Sequence, residues 1–362
     1  MSINNLDSFK NEFKKVLESA FIPSNSNQSV ISTEWNKIYD IILPNIPEKL
    51  FRYRRIDKEG YSKDSLRDGT ISLCHAGMFP DKYDSYLYVD RNKIQKDLRE
   101  ALTGALHMLM NNIKNNPTMI KPESVAKVFS YFKQGYTEEQ VIDIILTEQY
   151  SGYINEVETR LKNSESRFRT PENSAKIACF TESVQSKYMW DRYADGYKGF
   201  ALEYDFRKCI FKYNAISLNV NIFPIIYSDL RLDVTNEESR IYVREFSKEM
   251  GCYKEWLASF DSIFPINQLY WNKAYLYKDK KEYEHEREWR MLYYNLNDED
   301  DYSLIPDCGC LKAIYYGPDI DRKEKEELHT IAVQKGIKEY DVNLDTDSRK
   351  YDLKVSLTKS IT

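Results

Sequence analysis

The stretch KKEYEHEREWRMLYY, residues 280–294, begins with a dense mixture of charges and ends as an apolar, aromatic run. Its Trp, Met and Tyr residues favour a β-strand. Side chains on a strand alternate between two faces, so the apolar residues share one face and Glu286, Glu288 and Arg290 share the other. On a helix, Glu286 and Glu288 would instead diverge by about 200°. The stretch therefore predicts a core strand with two carboxylates and a guanidinium in one row. The simpler alternatives are a solvated charged face, or an intrastrand Glu288–Arg290 pair with no further role.

In the rest of the chain, segments with strand patterns and segments with helix patterns do not alternate regularly. Apolar and aromatic runs that are typical of strands recur at 49–56, 71–76, 175–181, 198–205, 220–228, 310–317 and 337–344. Helical spacing lies before, between and after them. Irregular mixing of this kind is typical of an α+β fold rather than of a doubly wound α/β fold. We therefore predict a mixed β-sheet core with flanking helices and a helical insertion.

The same patterns divide the chain. Residues 1–44 are predicted as N-terminal helices and 45–345 as the α+β core domain. The polar, amphipathic stretch at about 91–165 is predicted as a helical insertion that packs beside the strand core, adds no strand to it and acts as a lid or partner surface. Residues 346–362 are predicted as a C-terminal tail, with 351–357 as a candidate edge strand.

Composition narrows the class of protein. The 362 residues are 42% hydrophobic, which is enough for a sizeable core, and the formal net charge is −5. This charge argues against broad nucleic-acid coating but leaves room for a local basic groove. No apolar run approaches the length of a membrane span. The six cysteines form no CxxC pair and the N-terminus is polar, which predicts a reduced, cytoplasmic setting. The four histidines lack metal-ligand spacing, so no His-based zinc site is expected.

Two further segments carry candidate site residues. In LFRYRR, residues 50–55, alternation puts Arg52 and Arg54 on one face, where guanidinium groups suit phosphate or carboxylate, although a solvated strand face is the simpler reading. In CFTESVQSKYMWDRYADGYKGFALEYD, residues 179–205, Thr181 and Tyr193 lie near the ends of predicted elements, where sites tend to form.

The order of these motifs resembles a bacterial family known as domain of unknown function 2971. That family combines an aromatic-basic-Tyr strand, a Phe-Asn-Asp-Pro-Phe-Asp/Glu loop, Cys-Phe-Ser-Glu with Met-Trp-x-x-Tyr-Ala-Asp, and Glu-x-Glu-Trp/Tyr-Arg. The matching segments here are LFRYR, FPDKYD, CFTES with MWDRYADGYKG, and EHEREWRM. The loop departs from the pattern, with Pro80 for Asn and Lys82 for Pro. The matches span about 45–320, apart from the predicted insertion.

A second resemblance concerns chemistry. A basic residue on an early strand, then a Ser/Thr strand, then Glu-x-Glu is similar to the Arg–Ser–Glu pattern of ADP-ribosyltransferases. The resemblance implies that Arg52 grips NAD, that Thr181 braces the nicotinamide pocket, that Glu288 is catalytic and that Glu286 orients or deprotonates the acceptor. Phe180-Thr181-Glu182 stands where that pattern has Ser-Thr-Ser. The remaining residues predicted to contact NAD are Arg54, Tyr193 and Arg290.

These resemblances predict an NAD-dependent ADP-ribosyltransferase or NAD hydrolase, acting as a bacterial toxin or phage-defence effector. The acceptor (protein, RNA, DNA or water) and the oligomeric state stay open. One alternative is a metal-dependent nuclease, in which Asp84, Glu286 and Glu288 hold Mg²⁺ through carboxylate oxygens. The other is a non-enzymatic module that binds a nucleotide or a protein. No Walker-type loop, GxGxxG or GxSxG supports the commoner nucleotide or hydrolase folds.

Overall fold

The computed structural model describes residues 3–115, 122–149, 151–152, 155–156, 159, 175–207, 212–213, 216–217, 221–249, 265–294 and 300–358. Within these ranges it contains eleven helices and a mixed ten-stranded sheet. The predicted α+β fold class is therefore confirmed.

The helices lie mainly in the N-terminal region, in the insertion and between strands. They are α1 (Ile3–Ser19), α2 (Gln28–Ile42), α3 (Tyr61–Asp68), α4 (Arg91–Asn115), α5 (Pro122–Lys133), α6 (Glu138–Gln149), α7 (Lys187–Tyr193), α8 (Thr235–Glu249), α9 (Tyr270–Ala274), α10 (Lys280–Tyr283) and α11 (Arg322–Lys335). The strands are β1 (Leu50–Arg54), β2 (Thr70–His75), β3 (Lys176–Thr181), β4 (Phe200–Tyr204), β5 (Lys212–Tyr213), β6 (Ile216–Ser217), β7 (Ile222–Pro224), β8 (Ile226–Ser228), β9 (Tyr277–Asp279), β10 (Glu288–Tyr293), β11 (Tyr302–Pro306), β12 (Leu311–Tyr316), β13 (Lys338–Leu344) and β14 (Leu353–Leu357).

The main sheet runs in the order β11-β2-β3-β1-β4-β12-β13-β14, and β10 joins it by pairing with β3 and β7. Only the β12–β13 pair is parallel among the pairs of this sheet that the structure describes. Two further two-stranded sheets pair β5 with β6 and β8 with β9.

The sheet forks at β3. Strand β10 pairs with every residue of β3 from Lys176 to Thr181, which occupies one edge of that strand. The other edge is shared: β2 pairs with it at Ile177 and Lys176, whereas β1 pairs with it at Thr181. The middle of β3 therefore faces a gap between β1 and β2, and this gap positions the site described below.

The N-terminal helices share the core of the sheet. Phe9 of α1 stacks on Trp289 of β10 with ring centroids 6.0 Å apart. Phe13 of α1 and Ile38 of α2 are fully buried in the same apolar cluster. Residues 1–44, which the sequence predicted as a separate N-terminal segment, thus supply part of the core that supports the sheet.

The described part of the insertion is helical and contributes no strand. Helices α4, α5 and α6 build an apolar cluster of their own, which includes Leu102 of α4 and Val141 of α6. That cluster is completed by Tyr242 and Val243 of α8. The insertion therefore packs on a helix, whereas the sequence predicted packing beside the strands. The last part of the predicted insertion, 160–165, lies outside the described residues.

The C-terminal region adds a strand to the sheet. Residues Leu353–Leu357 form β14, which pairs antiparallel with β13 from Tyr340 to Leu344. The candidate edge strand at 351–357 is thus present, and the predicted boundary at 345 separates β13 from its partner. Leu353 is buried in the cluster on that face of the sheet, which explains why the segment docks.

Two observations concern the predicted cellular location of the protein. Among the described helices, none combines the length and apolarity needed to cross a membrane. Cys74, Cys179 and Cys308 are free thiols, whereas Cys310 is disulfide-bonded. The reduced, cytoplasmic setting stays a prediction.

Candidate functional site

A cavity of about 220 Å³ opens where β1 and β2 diverge from β3. Its apolar wall includes Phe79, Ile177, Phe180 and Met189. The charged residues that line it are Arg52, Arg54, Asp81, Asp84, Arg192, Lys278, Glu286, Glu288 and Arg290. The predicted row at 286–290 and the predicted arginine pair on β1 therefore meet at one cavity.

The row is not one strand, however. Glu288 and Arg290 lie on β10, but Glu286 lies in a 3₁₀ turn, Glu284–Glu286. Arg287 follows with φ 48°, a left-handed conformation that a strand does not tolerate. The Thr181 hydroxyl donates to the Glu286 carbonyl at 2.5 Å and holds the turn against the end of β3. The prediction of a strand at Glu286 was wrong, because the Arg287 N–H donates to the Glu284 carbonyl at 3.3 Å and closes a turn there, yet the Glu286 side chain still reaches the cavity.

Five side chains form a continuous ionic network: Glu286, Lys278, Glu288, Arg290 and Asp84. Lys278 Nζ lies 2.7 Å from Glu286 and 2.8 Å from Glu288. Arg290 Nε donates to Glu288 at 2.7 Å, and its two terminal nitrogens donate to the two Asp84 oxygens at 2.8 and 2.5 Å. With all five groups ionised, three carboxylates face two cations, so the network carries one excess negative charge.

The network keeps its buried groups charged. Burial alone would favour neutral Glu288, but Arg290 and Lys278 outweigh it and lower the pKa of Glu288 well below its usual range. Burial likewise opposes charged Lys278, yet Glu288 and Glu286 raise its pKa above the usual value. The pKa of Arg290 is raised by Asp84 and Glu288 against the same desolvation. The cavity therefore presents a fixed, ionised carboxylate.

This depressed pKa predicts an acid-sensitive fold. A carboxylate whose pKa is lower in the folded than in the unfolded protein stabilises the fold above the unfolded pKa, here 4.5, and loses that contribution as the pH falls towards the folded value of about 2. We expect the unfolding free energy of the parent protein to fall over this window and that of Glu288→Gln to fall less steeply. Urea unfolding at a series of pH values measures both slopes, and equal slopes would contradict the assignment.

Tyr193 and Thr181 both donate hydrogen bonds to Glu286. The Tyr193 hydroxyl, at the end of α7, donates to Glu286 Oε1 at 2.8 Å. Burial, and then the charge of Glu286, raise the pKa of Tyr193. Thr181 is buried and does not line the cavity. Thr181 therefore holds Glu286 from outside the cavity, whereas Tyr193 both holds Glu286 and lines the cavity, so its contact with NAD stays a prediction.

Arg52 and Arg54 differ from the network because their hydrogen-bond partners are uncharged. Arg52 donates to the Ser72 carbonyl at 2.6 Å and lies 5.9 Å from the centroid of the Phe180 ring. Arg54 makes a longer bond, 3.4 Å, to the Ser72 hydroxyl. Burial, and then the nearby Arg52, lower the pKa of Arg54 to about 10. Neither guanidinium forms an ion pair with a carboxylate in the part of the chain that the structure describes, so both can receive an anionic ligand.

Sequence reasoning missed Lys278 and Ser72. Lys278 lies eight residues before Glu286, on β9, with its ammonium between the two glutamates. The only sequence signal was indirect, because two like charges on one face require a nearby cation. Ser72 orients both arginines from β2, and its role depends on the fork, which no local pattern reveals.

The geometry does not favour the magnesium site of the alternative nuclease function. Asp84 binds Arg290 through both oxygens, while Lys278 holds Glu286 and Glu288. A cation at these oxygens would have to displace the two basic side chains. Over the described ranges, no group of three or more potential ligands is arranged to hold a metal ion.

Comparisons of the chain with protein-family models, curated proteins and solved structures find no match. The resemblance to domain of unknown function 2971, the weaker resemblance to ADP-ribosyltransferases and the role as a toxin or phage-defence effector therefore stay predictions.

Proposed function

We propose that the cavity binds NAD and cleaves the bond between nicotinamide and ribose, passing ADP-ribose to an acceptor or to water. The observation that carries the proposal is the pair Arg52 and Arg54, two cations without an ion-pair partner in the described residues, set beside an apolar wall and an ionised carboxylate network. Guanidinium groups suit phosphate oxygens, and an apolar wall suits a planar ring.

The size of the cavity limits how NAD fits. Pockets for drug-sized ligands span about 300–1,000 Å³. The cavity measures about 220 Å³, which suits one half of a dinucleotide. We assign the nicotinamide-ribose half to the interior and the adenosine half to the mouth, with the phosphates at Arg52 and Arg54.

The network supplies the electrostatics for bond cleavage. As the ribose–nitrogen bond breaks, its electron pair leaves with neutral nicotinamide and positive charge develops on the ribose. The excess negative charge of the network, which includes Glu288 and Glu286, stabilises that charge beside the apolar wall of the cavity. The oxygen of water or of an acceptor then forms the new bond to ribose C1′ and releases its proton. Glu286, held by Tyr193 and Lys278, is the group assigned to receive it.

Removing the arginines tests the binding step. We expect the double variant Arg52→Ala/Arg54→Ala to bind NAD roughly 10- to 100-fold more weakly, because charge-assisted bonds to the phosphates are lost. Isothermal titration calorimetry measures the affinity. Arg55→Ala is the matched control, since Arg55 follows on the same segment but is exposed and outside the cavity. Equal losses in both variants, or none in the double variant, would contradict the assignment.

A further inference from the structure

A second cavity adjoins the first. It also measures about 220 Å³ and shares Lys278 with the first cavity. Tyr83, Tyr86 and Arg231 form its aromatic side, and we call these three residues the aromatic groove. Because Lys278 holds both network glutamates, a group in this groove lies next to the reacting end of the first cavity.

The aromatic groove presents rings and a cation that are open to a ligand. The Arg231 guanidinium lies 5.7, 5.1 and 5.4 Å from the ring centroids of Tyr83, Tyr86 and Tyr88. Its hydrogen bond to the Leu87 carbonyl is long, at 3.4 Å. The Tyr83 side chain is exposed, at 65% of its full accessibility. An exposed ring face beside a cation is the arrangement on which nucleobases stack.

Backbone hydrogen bonds, rather than the side chains of the aromatic groove, fix the segment that carries the groove. The segment around Tyr88 is already fixed by backbone bonds, from Tyr88 N–H to the Leu232 carbonyl at 2.8 Å and from Val234 N–H to the Tyr88 carbonyl at 3.0 Å. The exposed Tyr83 ring therefore adds recognition surface rather than an essential brace.

A basic hollow continues from the groove. It measures about 610 Å³ and shares Asp229 with the second cavity. Asp229 and Glu284 are its carboxylates, against the cations Lys10, Lys280, Lys281 and Arg287. Lys10 and Arg287 both pair with Glu182, whereas Lys280 and Lys281 are exposed and form no ion pair within the described ranges. With Glu182 counted, four cations face three carboxylates, and in a chain of net charge −5 this small local excess, together with the two unpaired lysines, favours a polyanion.

We propose that the groove and the hollow together bind single-stranded nucleic acid. One unstacked base lies on the exposed Tyr83 ring beside Arg231, with the Tyr86 ring, inclined at 73° to Tyr83, at the edge of the base, and the sugar-phosphate backbone runs over Lys280 and Lys281. Aromatic platforms combined with a basic track are the general means of binding single strands. The assignment of this strand as the acceptor of ADP-ribose rests on the proposed function, but its binding does not.

The test measures binding of a fluorescent single-stranded 12-mer by anisotropy, without NAD. We expect Tyr83→Ala to weaken binding roughly 10- to 100-fold, because a base loses its stacking surface. Tyr83→Phe should bind like the parent, since the ring remains. Tyr351→Ala is the matched control, because Tyr351 is an exposed ring outside both cavities and the hollow and should leave binding unchanged. Melting temperatures confirm that all variants are folded.

Further binding measurements separate the contribution of the base to strand affinity from that of the sugar-phosphate backbone. An otherwise identical abasic strand should bind much more weakly than the 12-mer, and a free nucleoside monophosphate should bind more weakly because it lacks the backbone contacts. Lys280→Ala/Lys281→Ala should reduce the slope of log affinity against log salt by about 1.4, the amount for two lost phosphate contacts on a single strand. Parent-like binding by Tyr83→Ala, equal binding of the abasic strand, or no strand binding at all would overturn the proposal. Strand binding by a protein that leaves NAD intact supports this subsite and contradicts only the proposed enzymatic function.

Discussion

Glu288→Gln is expected to lower NAD turnover by about 10²–10³-fold, the cost typical of losing one preorganised electrostatic group. Glutamine keeps the shape of the side chain but removes the charge that opposes the developing positive charge on ribose. NAD affinity should change little, because the carboxylate is needed mainly in the transition state. Nicotinamide release at saturating NAD measures the first quantity, and calorimetry measures the second.

The same substitution also affects folding, because Glu288 is buried between Lys278 and Arg290. Removing one partner of a buried ion pair costs about 3–5 kcal/mol when the other charge is left uncompensated. Glutamine still offers a carbonyl oxygen, so we expect the loss in unfolding free energy to lie at or below that range. Turnover is therefore compared at temperatures where each variant is fully folded.

Glu203→Gln provides the matched control for Glu288→Gln. Glu203 is a buried carboxylate on β4 that binds Lys49 and the Tyr315 hydroxyl, and it does not line the cavity. This variant should lose stability but keep parent turnover. Glu288→Gln that melts earlier and yet releases nicotinamide at the parent rate would remove the catalytic assignment and leave Glu288 as a structural partner of Arg290.

Arg290→Ala is expected to lower the unfolding free energy by about 3–5 kcal/mol, the cost of breaking a buried ion pair from one side. The Arg290 side chain is fully buried and binds Asp84, Glu288 and the Tyr275 carbonyl. Its removal leaves two buried carboxylates short of their cation and adds a cavity. Urea unfolding measures the change.

The control for this prediction is Arg322→Ala. Arg322 pairs with Glu326 on the surface of α11, and its side chain is 87% exposed. Exposed pairs contribute about 0–1 kcal/mol, so this variant should unfold near the parent midpoint. If Arg290→Ala shifted the midpoint no more than Arg322→Ala, the network would not be the buried unit described above.

The alternation of side chains along a strand predicted those parts of the site that lie within a single strand. Alternation correctly placed Glu288 and Arg290 on one face of a core strand, and Arg52 and Arg54 on one face of another. It failed at Glu286, which lies in a turn that the Arg287 N–H and the Glu284 carbonyl close and that Thr181, a residue 105 positions away in the chain, holds against β3.

The fork of the sheet and the packing partner of the insertion could not be predicted from the sequence, because both depend on contacts between residues that are distant in the chain. The fork of the sheet depends on β1 and β2 sharing one edge of β3, although β3 lies far from both of them in the chain. The packing of the insertion on α8 depends on Tyr242 and Val243, which lie after several intervening strands. Amphipathic spacing predicts that a helix has a partner, but it does not say which element that partner is.

The most direct test of the central claim is nicotinamide release from NAD by the purified full-length protein in the presence of a metal chelator. The proposed mechanism uses only side-chain charges, so we predict release that survives the chelator and is lost in Glu288→Gln but not in Glu203→Gln. No release from NAD by the parent protein, or release that is equal in the parent and in Glu288→Gln, would contradict it.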